Sequence, residues 1–275
     1  MTNWHPFQKR FPRRQARARQ GSGSPLAGFW RSISAAVAVV YPPSCPSCQR
    51  SLANAAGVPG LCGRCTRQLT DVRPACARCA RPLPDGIQPS DTGRCLGCRD
   101  KRLAFGRTIS IGVYRDELRK IVLRIKKPGN EALTMGVGRL LADQCRSTNS
   151  VSDIDLLVPA PLHWTRRLVR GGGCPELLVE SMSKALRIPA ANGFLRCCRK
   201  TKKQGTLLPT ERRRNVRHAY RASKAYNVTG AHVLMVDDVM TTGATANEMA
   251  RVLRKSGATT ITLAVVARGI GFDGQ

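Results

Sequence analysis

Two sets of residues in this chain have types and spacings suited to chemistry. The first is VLMVDDVMTTGAT, residues 233–245. An apolar run ends in paired acids, Asp237 and Asp238, followed by Met240, Thr241, Thr242, Gly243, Ala244 and Thr245. Such a run reads as a buried strand, a tight turn and the start of a helix. A helix N-terminus offers backbone N–H donors and the positive end of a dipole, which together favour an anion. Gly243 lets the backbone come close to that anion, and the threonine hydroxyls add donors. No Lys follows the glycine, so this is not the GxxxxGK[ST] nucleotide loop. Carboxylates beside a phosphate cradle suit a sugar phosphate, with the acids holding ribose hydroxyls and the loop holding the 5′-phosphate.

The second set is four CxxC pairs: Cys45/Cys48, Cys62/Cys65, Cys76/Cys79 and Cys95/Cys98, separated by 13, 10 and 15 residues. Two such pairs place four thiolates tetrahedrally around one Zn²⁺, so eight Cys provide two closed, structural sites. Sequential pairing of neighbouring knuckles is the simplest arrangement; a cross-braced one uses the same residues. Cys145, Cys174, Cys197 and Cys198 show no ligand spacing. CxxC pairs without a secretory signal read as metal ligands in a reducing compartment, which implies a cytoplasmic protein.

The elements that must position these residues follow from periodicity. Strands are expected at 107–115, 153–161, 231–238 and 259–268, with helices at 117–127, 131–144, 176–186 and 244–256. Pro128-Gly129 breaks the first two helices apart. Strands alternating with helices imply an α/β fold, a mostly parallel sheet with helices on both faces. Residues 196–220 are polar and basic with little periodicity, a long loop that is either disordered or functional. The Cys-rich stretch is short of large apolar residues and needs metal to fold. The expected organisation is a disordered basic tail at 1–24, a short apolar helix at 25–43, a double metal module at 44–100 and an α/β domain at 105–270.

The chain has 46 Lys+Arg against 17 Asp+Glu, a formal net charge of +29. That balance favours polyanionic partners such as nucleic acid, or phosphate-rich substrates. The basic residues of 1–24 serve either as a nucleic-acid arm or as a solubilising tail. Arg50, Arg64, Arg67, Arg73, Arg78, Arg81 and Arg94 put further charge on the knuckles, where a nucleic-acid backbone can be met. The apolar stretch 26–41 is sixteen residues long and contains Arg31, too short for a membrane span. His163 and His218 have no partner visible in the sequence and read as surface or structural residues.

Residues 233–245 resemble the phosphoribosyl-pyrophosphate (PRPP) signature of type I phosphoribosyltransferases. The wider chain resembles the ComF/GntX family, which joins a double zinc ribbon to such a domain. The supporting segments are PPSCPSC (42–48), YRDELRKIVLRIKKPG (114–129), LVPAPLHWTRRLVRGG (157–172), KTKKQGTLLPTERRRNV (200–216) and VDDVMTTGAT (236–245). The resemblance implies that Asp237 and Asp238 contact the ribose diol and residues 241–245 the 5′-phosphate. It implies a pyrophosphate loop at 159–163, including Pro159, Ala160 and Pro161. It also implies a lid at 196–215, on which Lys202, Lys203 and Arg212 can shield charge, and Mg²⁺ bound with PRPP. Where the family has RGFNQ, this chain has Arg170-Gly171-Gly172-Gly173-Cys174. The implied roles are a phosphoribosyltransferase, or a nucleic-acid-binding accessory protein with a PRPP-sensing or vestigial site. The family's link to uptake and use of DNA makes DNA and DNA-processing proteins the expected partners.

Overall fold

The near-continuous apolar runs that mark the strands come to lie side by side. In the computed structural model, which describes residues 9–10, 43–52, 60–84, 95–98, 101–148, 151–161, 173–199 and 209–270, they form one sheet. Its strands are β2 (Arg107–Val113), β3 (Leu156–Pro159), β7 (His232–Met240) and β8 (Thr260–Arg268), in the order β2-β8-β7-β3. All three pairings are parallel. A parallel sheet is covered on both faces, and this explains why eight of the nine residues of β8 are buried without polar alternation.

On one face pack α2 (Asp116–Ile125), α3 (Glu131–Ser147) and α4 (Cys174–Leu186). Their Ile121, Leu133, Leu141, Leu178 and Met182 share a cluster with Leu157, Leu234 and Val236 of the sheet. Helices α3 and α4 approach closely at Gly138, where an added Cβ would lie 2.8 Å from the Ser181 Cβ. On the other face lies α6 (Ala244–Lys255), whose Met249 and Leu253 meet Val158, Met235 and Leu263.

The cysteine modules share this core. The first, with α1 (Gly63–Leu69), buries Leu61, Cys62, Cys65 and Leu69 in the cluster of α2 and α3. The second buries Cys76, Cys79 and Cys98 in the cluster of α6 on the opposite face. The segment joining them crosses the open edge of β2. Asp71 N–H donates to the Ile111 carbonyl at 2.9 Å, and Thr108 N–H to that of Ala77 at 2.9 Å. A Cys-rich stretch poor in large apolar residues thus borrows the core of the sheet.

Residues 196–220, expected as one long loop, contain ordered pieces. Strand β4 (Leu195–Cys197) pairs antiparallel with β5 (Tyr220–Ala222), and α5 (Pro209–Val216) lies between them. Phe194, Leu195, Val216, Ala219 and Tyr220 are buried, so the segment is anchored by apolar residues at its two ends. Inside the tail expected to be disordered, β1 (Lys9–Arg10) pairs with β6 (Tyr226–Asn227). The rest of 1–24, and the apolar helix expected at 25–43 save Pro43, lie outside the described residues. Among the described residues no helix is long and apolar enough to cross a membrane.

Candidate functional site

Parallel strands bring their carboxyl ends to one edge of the sheet, the usual place for a ligand. Here Pro159 stands opposite Val236, Asp237 opposite Val265, and Met240 opposite Arg268. Strand β7 runs two residues beyond its expected end at 238, alongside an equally long β8, so the acids sit inside the strand and not at its last positions. The segment Pro159, Ala160 and Pro161 starts beside them, and Ala160 N–H donates to the Val236 carbonyl at 2.8 Å.

Both aspartates are partly buried. The Asp237 Oδ1 accepts from the Asp238 N–H at 2.8 Å. Burial, and then the neighbouring Asp238 carboxylate, push the Asp237 carboxyl up to about 8, so it holds a proton at neutral pH. Asp238 pairs with Lys126, Nζ to Oδ2 at 2.8 Å, with side-chain exposures of 28% for the lysine and 20% for the aspartate. Lys126 is the residue that ends α2. Burial opposes its charge, but Asp238 and, behind it, Asp237 outweigh burial and raise its pKa. Cys174, buried at the start of α4, feels both Asp238 and Lys126; burial, reinforced by Asp238, holds its thiol well above the usual range. Burial in these surroundings thus favours the thiol over the thiolate.

Past Met240 the chain turns through exposed Thr241 and Thr242 into α6. Thr242 Oγ1 accepts from the Ala244 N–H at 3.4 Å, at the start of the helix. Gly243 has φ +75°, and a Cβ there would meet the Met240 Sδ at 3.6 Å and Phe105 Cζ at 3.7 Å, ordinary contacts. Glycine is required here by backbone conformation and not by crowding. Met240 is buried, so its side chain supports the loop from beneath.

In each cysteine module the four sulfur atoms lie within 4.8 Å of one another, and the pairing is sequential: Cys45, Cys48, Cys62 and Cys65, then Cys76, Cys79, Cys95 and Cys98. The Cys48 and Cys62 sulfurs are 3.6 Å apart, and those of Cys79 and Cys95 3.7 Å. Tetrahedral Zn–S bonds of about 2.3 Å set sulfurs about 3.8 Å apart, so the cages fit the metal. Backbone N–H groups point at the sulfurs, Cys62 to Cys45 at 3.4 Å and Cys95 to Cys76 at 3.2 Å, as suits thiolates. Four sulfurs leave no open position, which makes both sites structural.

Residues 36–99 match the double zinc ribbon domain, and residues 177–271 the phosphoribosyl transferase domain. The chain thus matches a double zinc ribbon followed by a phosphoribosyl transferase domain, the order that the resemblance to the ComF/GntX family implies. It is 29% identical over 199 residues to Competence protein F of Haemophilus influenzae, covering 71% of this chain and 85% of that protein. It is 29% identical over 233 residues to the DNA utilization protein YhgH of Escherichia coli O157:H7, covering 84% of this chain and 99% of that protein. Among solved structures, the glutamine PRPP amidotransferase of B. subtilis aligns with 50% of this chain at 21% identity and a TM-score of 0.33. The chain spans about a quarter, 26%, of that enzyme.

Within the transferase domain, the sheet brings together Asp237, Asp238, residues 240–245 and Pro159–Pro161 at one edge. Lys202 and Lys203 lie outside the described residues, as do 170–172, His163 and the side chain of Arg212. His218 is exposed, with its backbone N–H donating to Glu248 Oε1 at 2.8 Å. The sequence reading assigned no role to Lys126, although it lies in the family-like segment 114–129. The available signal was a second basic residue directly after an amphipathic helix; its reach to Asp238 depends on the tertiary fold.

Proposed function

We propose that the transferase domain binds PRPP, and that the protein serves in the uptake or utilisation of DNA in the cytoplasm. The observation that carries the PRPP reading is the pair Asp237 and Asp238 set within β7, directly before a loop with Gly243 at φ +75° and the N-terminus of α6. On this reading the two carboxylates accept hydrogen bonds from the ribose hydroxyls. Residues 241–245 donate to the 5′-phosphate, and Pro159–Pro161 border the pyrophosphate. Mg²⁺ bound with PRPP supplies charge to offset the departing pyrophosphate. Lys126 then has two anions to serve, Asp238 in the free protein and the ligand in the complex. A lid carrying Lys202, Lys203 and Arg212 adds to the shield. Both metal modules are dedicated to folding, and their exposed Arg50, Arg64, Arg67 and Arg73 offer a surface for DNA phosphates.

Displacement of pyrophosphate at the anomeric carbon needs no protein nucleophile, so the site is compatible with catalysis. One observation favours a non-catalytic, PRPP-sensing site: Cys174, a buried thiol at the start of α4, stands where the resemblance to the family leads one to expect glutamine. Incubating purified protein with PRPP and Mg²⁺, and measuring pyrophosphate release with nucleobases or DNA as acceptors, separates the two. Release with an acceptor supports an enzyme; binding of PRPP without release under any acceptor supports a sensor.

A further inference from the structure

Arg268, the last residue of β8, carries a guanidinium that is almost completely buried, with 7% of the residue exposed. Its Nε donates to the carbonyl of Cys79 at 2.7 Å. Its Nη1 donates to the carbonyls of Met240 at 3.1 Å and Thr241 at 2.6 Å, and to that of Gly269. One side chain thus holds a knuckle of the second cysteine module and the first residues of the phosphate loop together. Among the described residues no carboxylate pairs with it. A buried cation without a counter-charge is costly. The residue its Nε touches, Cys79, belongs to the cluster Cys76, Cys79, Cys95 and Cys98, and four thiolates around one Zn²⁺ leave a formal charge of about −2.

The chain that leaves this module, at Ala104 and Phe105, is fastened to α6 and to the loop. Ala104 N–H donates to the Asn247 Oδ1 at 2.7 Å, Arg254 Nε donates to the Ala104 carbonyl at 2.6 Å, and Phe105 lies under Gly243. The first module makes a different attachment: Arg124 donates to the carbonyls of Pro46 and Ser47, each at 2.9 Å, and so fastens its knuckle to α2. Helix α2 is independently anchored by buried Leu118, Ile121, Val122 and Ile125.

We infer that Arg268 couples the second cysteine cluster to the phosphate loop, so that metal in this cluster, and not in the first, sets the loop's order and its affinity for a phosphate monoester. Charged as a metal tetrathiolate, the cluster is the counter-anion that keeps Arg268 beneath Met240 and Thr241. Arg268 is a positioning residue, since it touches loop carbonyls from the protein side. The ligand part of this inference rests on the PRPP reading above; the coupling itself does not.

The test uses the full chain and two readouts. The first is hydrogen exchange of the loop in a peptide covering 237–249, which needs no ligand. The second is calorimetric titration with ribose 5-phosphate and with PRPP and Mg²⁺. Metal content is counted by native mass spectrometry. Cys95→Ser removes one metal, speeds exchange in 237–249 while β8 stays protected, and weakens both ligands by about ten-fold, the loss of one charge-assisted contact. Cys48→Ser removes the other metal and leaves loop exchange and affinity within about two-fold. Arg268→Met retains both metals yet reproduces the loop exchange of Cys95→Ser. Equal loop exchange in the two cysteine variants, or a protected loop in Arg268→Met, overturns the coupling. Failure of the wild type to bind either ligand overturns the PRPP reading alone, and the exchange data still decide the coupling.

Discussion

The Lys126 ammonium lies 2.8 Å from the Asp238 carboxylate and joins the end of α2 to the end of β7. Both side chains are more than two-thirds buried, so the pair is shielded from solvent more than a surface ion pair. Removing one partner leaves a poorly solvated charge behind. Lys126→Met should therefore destabilise the protein, and Asp238→Asn should recover part of that loss in the double variant. A double-mutant cycle by urea unfolding should give a coupling of about 1–3 kcal/mol. A coupling indistinguishable from zero would show that the pair is a solvated contact.

Asp237 makes stability fall as pH rises. Its folded pKa, raised by burial and then by Asp238 to about 8, stands well above the ordinary carboxylate value of 3.8. Below about 4 both the folded and unfolded chains hold the proton, and this contribution is fully present. Between about 4 and 8 only the folded chain holds it, so each rise in pH costs stability until the folded carboxyl ionises. Asp237→Asn should flatten the decline in melting temperature across that window and melt higher than wild type at pH 8. An unchanged slope would mean that the Asp237 carboxyl is ionised throughout. Binding a cation or hydroxyls to the carboxylate pair should for the same reason strengthen as pH rises towards 8.

Much of this was legible before any coordinates. The strands β2, β7 and β8 are near-continuous apolar runs and the helices α2, α3 and α6 are long, periodic segments, and their burial follows the apolar pattern. The eight metal-binding cysteines were set by spacing alone, and the sequential grouping agrees with the simplest expectation. Three features were not legible. Lys126 meets Asp238 only because α2 packs across the sheet, a tertiary contact without local signature. Arg268 looked like any basic residue ending a strand, yet it is buried because carbonyls of two distant segments converge on it. The ordered ends of 195–222 depend on a few buried anchors, Phe194, Val216 and Tyr220, too sparse to make a period.

The cysteine cages predict two Zn²⁺ per chain by elemental analysis of purified protein. Folded protein free of metal would contradict the assignment. Cys62 is buried among the residues of α2 and α3, so Cys62→Ser should do more than loosen a separate module. Hydrogen exchange should rise in 131–141, where Gly136 of α3 packs against Gly60 and Leu61, as well as in 43–70, and the melting temperature should fall, with α2 staying protected by its own buried residues. A change confined to 43–70 would show that the ribbon folds independently of the sheet.

The charge of +29 predicts DNA binding with little base preference and a steep loss of affinity as salt rises. Deleting residues 1–24, which carry six Lys and Arg and no acid, should flatten that salt dependence. Replacing Arg64 and Arg67, exposed on α1, should flatten it further. Undetectable binding to single- or double-stranded DNA at about 50 mM salt would give the basic charge another cause.

The most direct test of the PRPP site is titration calorimetry with PRPP and Mg²⁺ on the wild type and on Asp237→Asn/Asp238→Asn. Asp238, and Asp237 once ligand and Mg²⁺ draw off its proton, accept charge-assisted hydrogen bonds worth about 1.5–3 kcal/mol each, and the substitution keeps size while removing that charge. The wild type should bind, and the double variant should bind at least about ten-fold more weakly while remaining folded. Equal affinity in the two proteins, or no binding by the wild type, would contradict the assignment of Asp237 and Asp238 as the ribose-holding pair of a PRPP site.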